Sequence, residues 1–190
     1  MELTKNYEKR HIVGVIAVVL ALLTPMAIPL FPYIVNDLLY ATSDTWFIQI
    51  PRNSYLLYGT GLILLLLGTF IIFLFNLKRF SVLIGFLLFI SSIYPFILGA
   101  THYKQLSNEG IYFSELGITN HNYYEWDQVE KVVYYLSEDR GGFSNLEFQF
   151  SDGNSVIIAR DSYFSSVFYK FMNKVSEYNI EYVGSDKNNR

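Results

Sequence analysis

Tyr55–Phe75, YLLYGTGLILLLLGTFIIFLF, is a run of 21 residues without a charge or a proline. A helix needs about 20 apolar residues to cross a hydrocarbon core of about 30 Å, so this run is long enough to span a bilayer. Its flanks repeat the pattern. Between Arg10 and Lys104 the only charged residues are Asp37, Asp44, Arg52, Lys78 and Arg79, which leave uncharged stretches at 11–36, 53–77 and 80–103. The reading is three transmembrane helices, at about 12–35, 55–76 and 80–100, within an N-terminal region 1–103.

Beyond Lys104 the texture becomes charged and turn-rich. A 52% apolar content with 16% charge and a mean hydropathy of +0.25 fits a chain that is half membrane and half folded domain. Residues 1–100 hold six basic against four acidic residues, and residues 101–190 hold eight against thirteen. An acidic domain argues against nucleic acid as a partner and against docking on anionic lipid heads, leaving the lipid bilayer around the helices and a protein or peptide as the expected partners. With no cysteine, disulfides, thiolate metal sites and thiol nucleophiles are excluded. Nothing in the sequence sets an oligomeric state.

Lys5, Lys9 and Arg10 before the apolar run Ile12–Leu23 resemble the start of a secretory signal. Pro25-Met26-Ala27 puts proline where a cleavage site wants a small residue, and apolar character continues to Val35, so a retained helix is expected. Pro25, Pro29 and Pro32 are expected to kink or loosen its second half. Asn76–Arg79 is all that separates the second and third spans, which form a tight hairpin. Gly61 and Gly68, with Ser91, Ser92 and Gly99 opposite, supply small residues for close helix packing. No Asp, Glu, Lys or Arg lies inside a span, which counts against a pump, an ion-coupled carrier or an intramembrane protease. His11 and His102 stand at span ends, where solvation is easy, with no second metal ligand at useful spacing.

Basic residues favour the cytoplasmic side. Lys5, Lys9, Arg10, Lys78 and Arg79 against Arg52 and Lys104 place the amino-terminal tail and second loop inside. The first loop, 37–52, and the carboxy-terminal domain then face out of a multi-pass cell membrane. Trp46, Phe47, Tyr55 and Tyr58 fall at the outer interface, where aromatic rings are favoured.

In the carboxy-terminal part, Gly110–Ile118 reads as a first strand and 122–136 as a second extended region. Glu138–Gly142 is a polar reversal. Leu146, Phe148 and Phe150 alternate with polar residues, Asp152-Gly153 turns, and Val156–Ile158 returns, a strong hairpin pattern. Phe164, Val167, Phe168, Phe171, Val175 and Tyr178 then recur at helical spacing, with Asp161 or Ser162 as cap and Asn179 as a left-handed stop. Strands followed by one amphipathic helix predict an α+β domain, with 184–190 as a polar tail.

Three of these features together resemble the bacterial pleckstrin-homology-like (PH-like) domains that follow paired membrane helices. They are the Gly110-Ile-Tyr opening strand, Tyr124-Glu-Trp126-Asp-Gln-Val129, and the Asp-Gly hairpin before a terminal helix. The resemblance covers 104–183 and implies an antiparallel β-domain closed by an amphipathic helix, with Trp126 in its core. Only about four strands are evident where a full barrel has seven. Glu109, Glu115, Glu125 and Asp127 occupy the region where a phosphoinositide site needs basic residues, so headgroup binding is not implied.

No catalytic, cofactor-binding or metal site is expected, and no enzymatic activity. There is no zinc-protease helix, nucleophile elbow or phosphate-binding glycine loop. Glu125 and Asp127 share one face of a strand and Glu130 the other, a solvated arrangement without a basic partner. Asp152-x-Asn154 lacks the downstream ligand of a calcium loop, and His121 lies in a polar turn. Two functions follow: a membrane-anchored interaction module that assembles or regulates a complex, or a role for the helices themselves, such as immunity to a membrane-active toxin or service as a transporter accessory subunit.

Overall fold

The computed structural model describes residues 2–115, 121–136 and 143–185, with side chains described for 9–115, 121–136 and 143–184. Two compact units emerge, and neither is continuous in sequence: Met1–Leu39 with Ile50–His102, and Tyr40–Gln49 with Tyr103–Arg190.

The first unit holds three helices, α1 (Glu2–Tyr40), α2 (Arg52–Leu74) and α3 (Arg79–Ala100), each long and apolar enough to cross a membrane. This is a membrane protein with three spanning-length helices. Helix α1 runs unbroken through Pro25, Pro29 and Pro32 and extends five residues past the expected end. The expected loosening of the last turns does not go so far as to end the helix. Spacings of four and three keep the prolines near one face, and Thr24 Oγ1 and Asn36 Nδ2 bond the Leu20 and Pro32 carbonyls at 2.7 and 2.8 Å. Asn76 and Leu77, at φ 54° and 56°, make the expected tight turn between α2 and α3.

Backbone proximity holds that hairpin together. A Cβ on Gly68 would lie 3.0 Å from the Gly85 carbonyl oxygen, and one on Gly85 would strike Ile72 at 2.4 Å. Gly61 faces the Phe96 ring and Gly99 the Tyr58 ring. Lipid offers no hydrophobic force between helices, so close van der Waals approach must supply the attraction. Ser92 is buried as expected, whereas Ser91 is exposed and Gly85 takes the central position instead.

The second unit is built on β1 (Thr45–Gln49), β2 (Tyr103–Ser107), β3 (Gly110–Ser114), β4 (Asn122–Glu125), β5 (Val129–Tyr135), β6 (Ser144–Phe150), β7 (Ser155–Arg160), helix α4 (Ser162–Glu177) and β8 (Glu181–Ser185). Two four-stranded sheets result, ordered β1-β2-β3-β4 and β7-β6-β5-β8. All pairings are antiparallel except β5 with β8. Gly153, at φ 85°, makes the β6–β7 turn, and the Asp161 carboxylate caps α4 by accepting from the Phe164 amide at 2.7 Å. Asn179 provides the left-handed stop at φ 52°.

Three boundaries move. The first loop is not only a loop: Thr45–Gln49 pairs antiparallel with Tyr103–Ser107 and belongs to the domain. Trp46 and Phe47, expected at a membrane interface, are core residues, with Phe47 wholly buried between Tyr163 and Phe164. A bulge between Thr45 and Phe47 lets two consecutive residues both be buried, which hid the strand from a period-two reading. The domain runs two residues into the expected tail, because strand β8 extends to Ser185. The first predicted strand shortens to Gly110–Ser114; its distal part and the reversal at 138–142 lie outside the described residues.

Trp126 has the expected role. It is fully buried on a single 3-10 turn, Trp126–Gln128, donates from Nε1 to the Ser107 carbonyl at 3.0 Å, and stacks on Trp46 at 6.3 Å. Phe148, Phe164 and Phe171 complete a core of T-shaped and tilted ring pairs.

Truncating Phe47 or Trp126 to Ala should each cost about 3–5 kcal/mol, enough to unfold a small domain. A 103–185 fragment should fail to fold by circular dichroism, while the same fragment with 40–49 joined by a flexible linker should melt cooperatively. Cooperative melting of the fragment without 40–49 would show that β1 is dispensable.

Candidate functional site

Strand β7 is an edge of its sheet, and exposed edges invite pairing with other chains. Here side chains cover it. The Gln49 amide acts as a substitute peptide group: Nε2 donates to the Ala159 carbonyl and Oε1 accepts from the Ala159 amide, both at 3.0 Å. The Lys104 ammonium donates to the Ile157 carbonyl one step along. Burial lowers the Lys104 pKa, and the Glu115 carboxylate opposes that shift. Gln49 escaped the sequence reading because its strand did.

The opposite end of that sheet is different. Strand β8 lies along β5 in parallel register from Lys131↔Glu181 to Tyr135↔Ser185, joined by a solvent-facing Lys131–Glu181 ion pair at 3.5 Å. Tyr182 meets the Phe171 ring edge-on at 5.9 Å, and burial raises its hydroxyl pKa. Beside this slot the Arg160 guanidinium sits 4.3 Å from the Phe168 ring.

On the first sheet, Tyr112 and Tyr123 stack at 4.5 Å, and Tyr124 stacks on Phe150 at 3.7 Å. The Tyr124 hydroxyl donates to Asp152 Oδ2 at 2.7 Å and accepts from Asn154 Nδ2 at 2.8 Å. Asp152 also accepts from the Asn154 amide, which, with the Tyr124 bond, holds its carboxyl below the ordinary range. Asp152-x-Asn154 is therefore a hydrogen-bonded turn tying β6–β7 to β4. Glu125, Asp127 and Glu130 are all exposed; Glu125 ends β4 and forms a capping box with Gln128, Asp127 lies in the 3-10 turn, and Glu130 lies in β5. Among the described residues these carboxylates have no shared basic partner.

His11 is exposed. His102, expected to be solvated, is buried, with its carbonyl accepting from Ser54 Oγ at 3.1 Å. His121 lies at the surface with Nδ1 3.3 Å from the Tyr103 hydroxyl. Among the described residues no group of three His, Cys, Asp or Glu could hold a metal ion.

The membrane unit contributes two apolar grooves along α1. One, of about 660 Å³, lies between Gly14–Ala21 and Leu66–Phe73. The other, of about 510 Å³, is bounded by Leu23, Ala27, Phe31, Tyr58, Leu62 and Phe96. The chain matches no protein-family model and no curated protein.

Burial, followed by the neighbouring Tyr40 and Tyr112 hydroxyls, pushes Tyr103 up to about 12 from 10.0. Tyr112 is pushed up to about 12 by burial and by Tyr123. A raised pKa means that the neutral form is held by the fold. That contribution is complete below pH 10 and is lost as pH rises through about 12. The melting temperature of the β-domain should therefore fall across this window, and Tyr103→Phe should flatten the fall. An unchanged alkaline profile in Tyr103→Phe would remove Tyr103 from the cause.

Proposed function

We propose that this chain is a membrane-anchored, non-enzymatic interaction module of bacterial cell membranes. Its PH-like domain binds a protein or peptide partner and so assembles or regulates a membrane complex. The observation that carries this reading is the recruitment of β1. With β1 from the first loop, seven strands among the described residues precede helix α4, which supports the resemblance without the strand shortfall of the sequence. The polar half of the chain is thus invested in one aromatic-cored body with an acidic surface and a sheet edge at β8. The absence of Asp, Glu, Lys and Arg from 12–35, 55–76 and 80–100 fits an anchor better than a carrier.

In this reading the amino-terminal tail and 76–79 lie in the cytoplasm, and the β-domain lies outside. The pairing of β1 with β2 supports the hairpin topology independently of charge. Residues 45–49 and 103–107 must share one side of the membrane, which α2 and α3 achieve by crossing once each. A second reading, in which the helices carry the activity, is favoured by the two grooves along α1.

Pull-down from detergent-solubilised membranes separates the two. Capture of the same partner by the full chain and by 40–49 joined to 103–190 supports the module; capture by the full chain alone supports the helices. Orientation is read from single cysteines in a chain that has none. Cysteines at exposed Ser43 and Asn108 should react with an impermeant maleimide on intact cells, and those at Thr4 and Lys78 should not. Reversed labelling would place the domain in the cytoplasm.

A further inference from the structure

Strand β8 is the least anchored strand of its sheet. Val132 in β5, Phe148 in β6 and Ile158 in β7 are wholly buried, whereas no described side chain of β8 is: Glu181 and Gly184 are exposed, Tyr182 and Val183 half-buried. It pairs along one edge only, and the turn through Asn179 leads into it. Its ion pair is solvent-facing, a kind that contributes little. Gly184 weakens it further, because glycine inside a strand gives up conformational entropy and packing. No close approach requires that glycine: a Cβ there would meet nothing within 4 Å. A strand with no wholly buried side chain and one paired edge is drawn from the low-stability end of the sheet.

The site beneath β8 is already shaped for a strand. The β5 edge from Lys131 to Tyr135 accepts five residues in parallel register, Lys131 offers a cation at the first position, and Phe171 offers a ring face to the second. The other edge of that sheet, β7, is bonded by Gln49 and Lys104.

We propose that the β5 edge is the docking edge of the domain, and that β8 is an intramolecular strand occupying it until an extended segment of a partner protein takes its place. The incoming segment would add to the sheet in the register of β8. Its chemistry follows from that strand: an acidic residue opposite Lys131, then an aromatic one against Phe171, then an aliphatic and a small residue. This inference rests on the interaction-module reading above and assigns its site.

The test uses the full chain in detergent micelles, with a fluorescent peptide of residues 180–187 as probe. Three changes are compared: truncation after Ile180, Gly184→Thr, and the pair Val133→Cys with Val183→Cys, whose Cα atoms are register partners. The truncated chain should bind the peptide at least tenfold more tightly than wild type, and Gly184→Thr more weakly than wild type. The cysteine pair should bind when reduced and lose binding on oxidation, recovering with reductant. Equal binding by the oxidised and reduced pair overturns the proposal, and this comparison decides even if the truncated chain does not fold. A folded truncated chain that ignores the peptide also overturns it. Disulfide-linked dimers on oxidation would assign the edge to a second copy and overturn the partner segment. Partner capture that is equal before and after oxidation sinks the β5 edge while leaving the module reading intact; absence of capture in both states sinks the module reading, and the peptide measurement still decides the edge.

Discussion

The pairing of β1 with β2 is the constraint on which the rest of the structure depends. These strands are neighbours in the sheet, yet residues 50–102, with two membrane-length helices, lie between them in sequence. A flexible insertion of that length would raise the closure entropy of the pair, slowly but measurably. Here the insertion is a helical hairpin with a tight turn, and its glycine contact between Gly68 and Gly85 fixes the return of the chain. A paired α2–α3 hairpin therefore lowers the closure cost of the β1–β2 pair.

Once β1 is in place it does two jobs. Phe47 fills the core against Tyr163 and Phe164, and Gln49 closes the seam to β7 by imitating a peptide group. A side-chain amide has the same donor and acceptor as the backbone, so it satisfies an edge without extending it. That is a way of blunting a strand that would otherwise template aggregation. Strand β8 covers the β5 edge by a true ladder instead. The two edges of one sheet are therefore protected by different means: one by side chains from a distant strand, the other by a strand that the chain's own carboxy-terminal segment supplies.

The helices were legible because a bilayer imposes a length and a composition that few other structures share, and the α4 and β6–β7 patterns were legible because their periods are clean. Strand β1 was not. Trp46 and Phe47 are as much at home at a membrane interface as in a core, five residues are too few to establish a period, and the bulge breaks it. Strand β2, YKQLS, carries Lys104 and Gln105 in a segment where alternation of apolar residues is expected; Gln105 is buried only because Nε2 reaches Thr45 Oγ1 at 2.5 Å, across the same β1–β2 pair. Gly85 gave no sign of being the contact for Gly68, since one glycine in an apolar helix fits many helix faces. Trp126 was placed correctly in the core, while its Nε1 bond to Ser107 could not be read from spacing. The reading of the acidic residues of 125–130 as solvated agrees with the exposure of Glu125, Asp127 and Glu130.

Different forces hold the two units, and this determines how sequence changes are felt. In the β-domain, removal of apolar area from water is the driving term, so the loss of one ring from Phe47 or Trp126 forfeits transfer energy and leaves a cavity. In the helical hairpin, the surroundings are as apolar as the side chains, and burial of a leucine yields little. What matters there is how closely the backbones approach. A methyl group at Gly85 would lie 3.0 Å from the Gly68 carbonyl oxygen, a backbone atom that cannot swing aside as the Ile72 side chain can, so it presses on the approach of the two helices. A small residue at 85 and a large one at 47 answer to these two different forces, close backbone approach in the hairpin and exclusion of water in the β-domain.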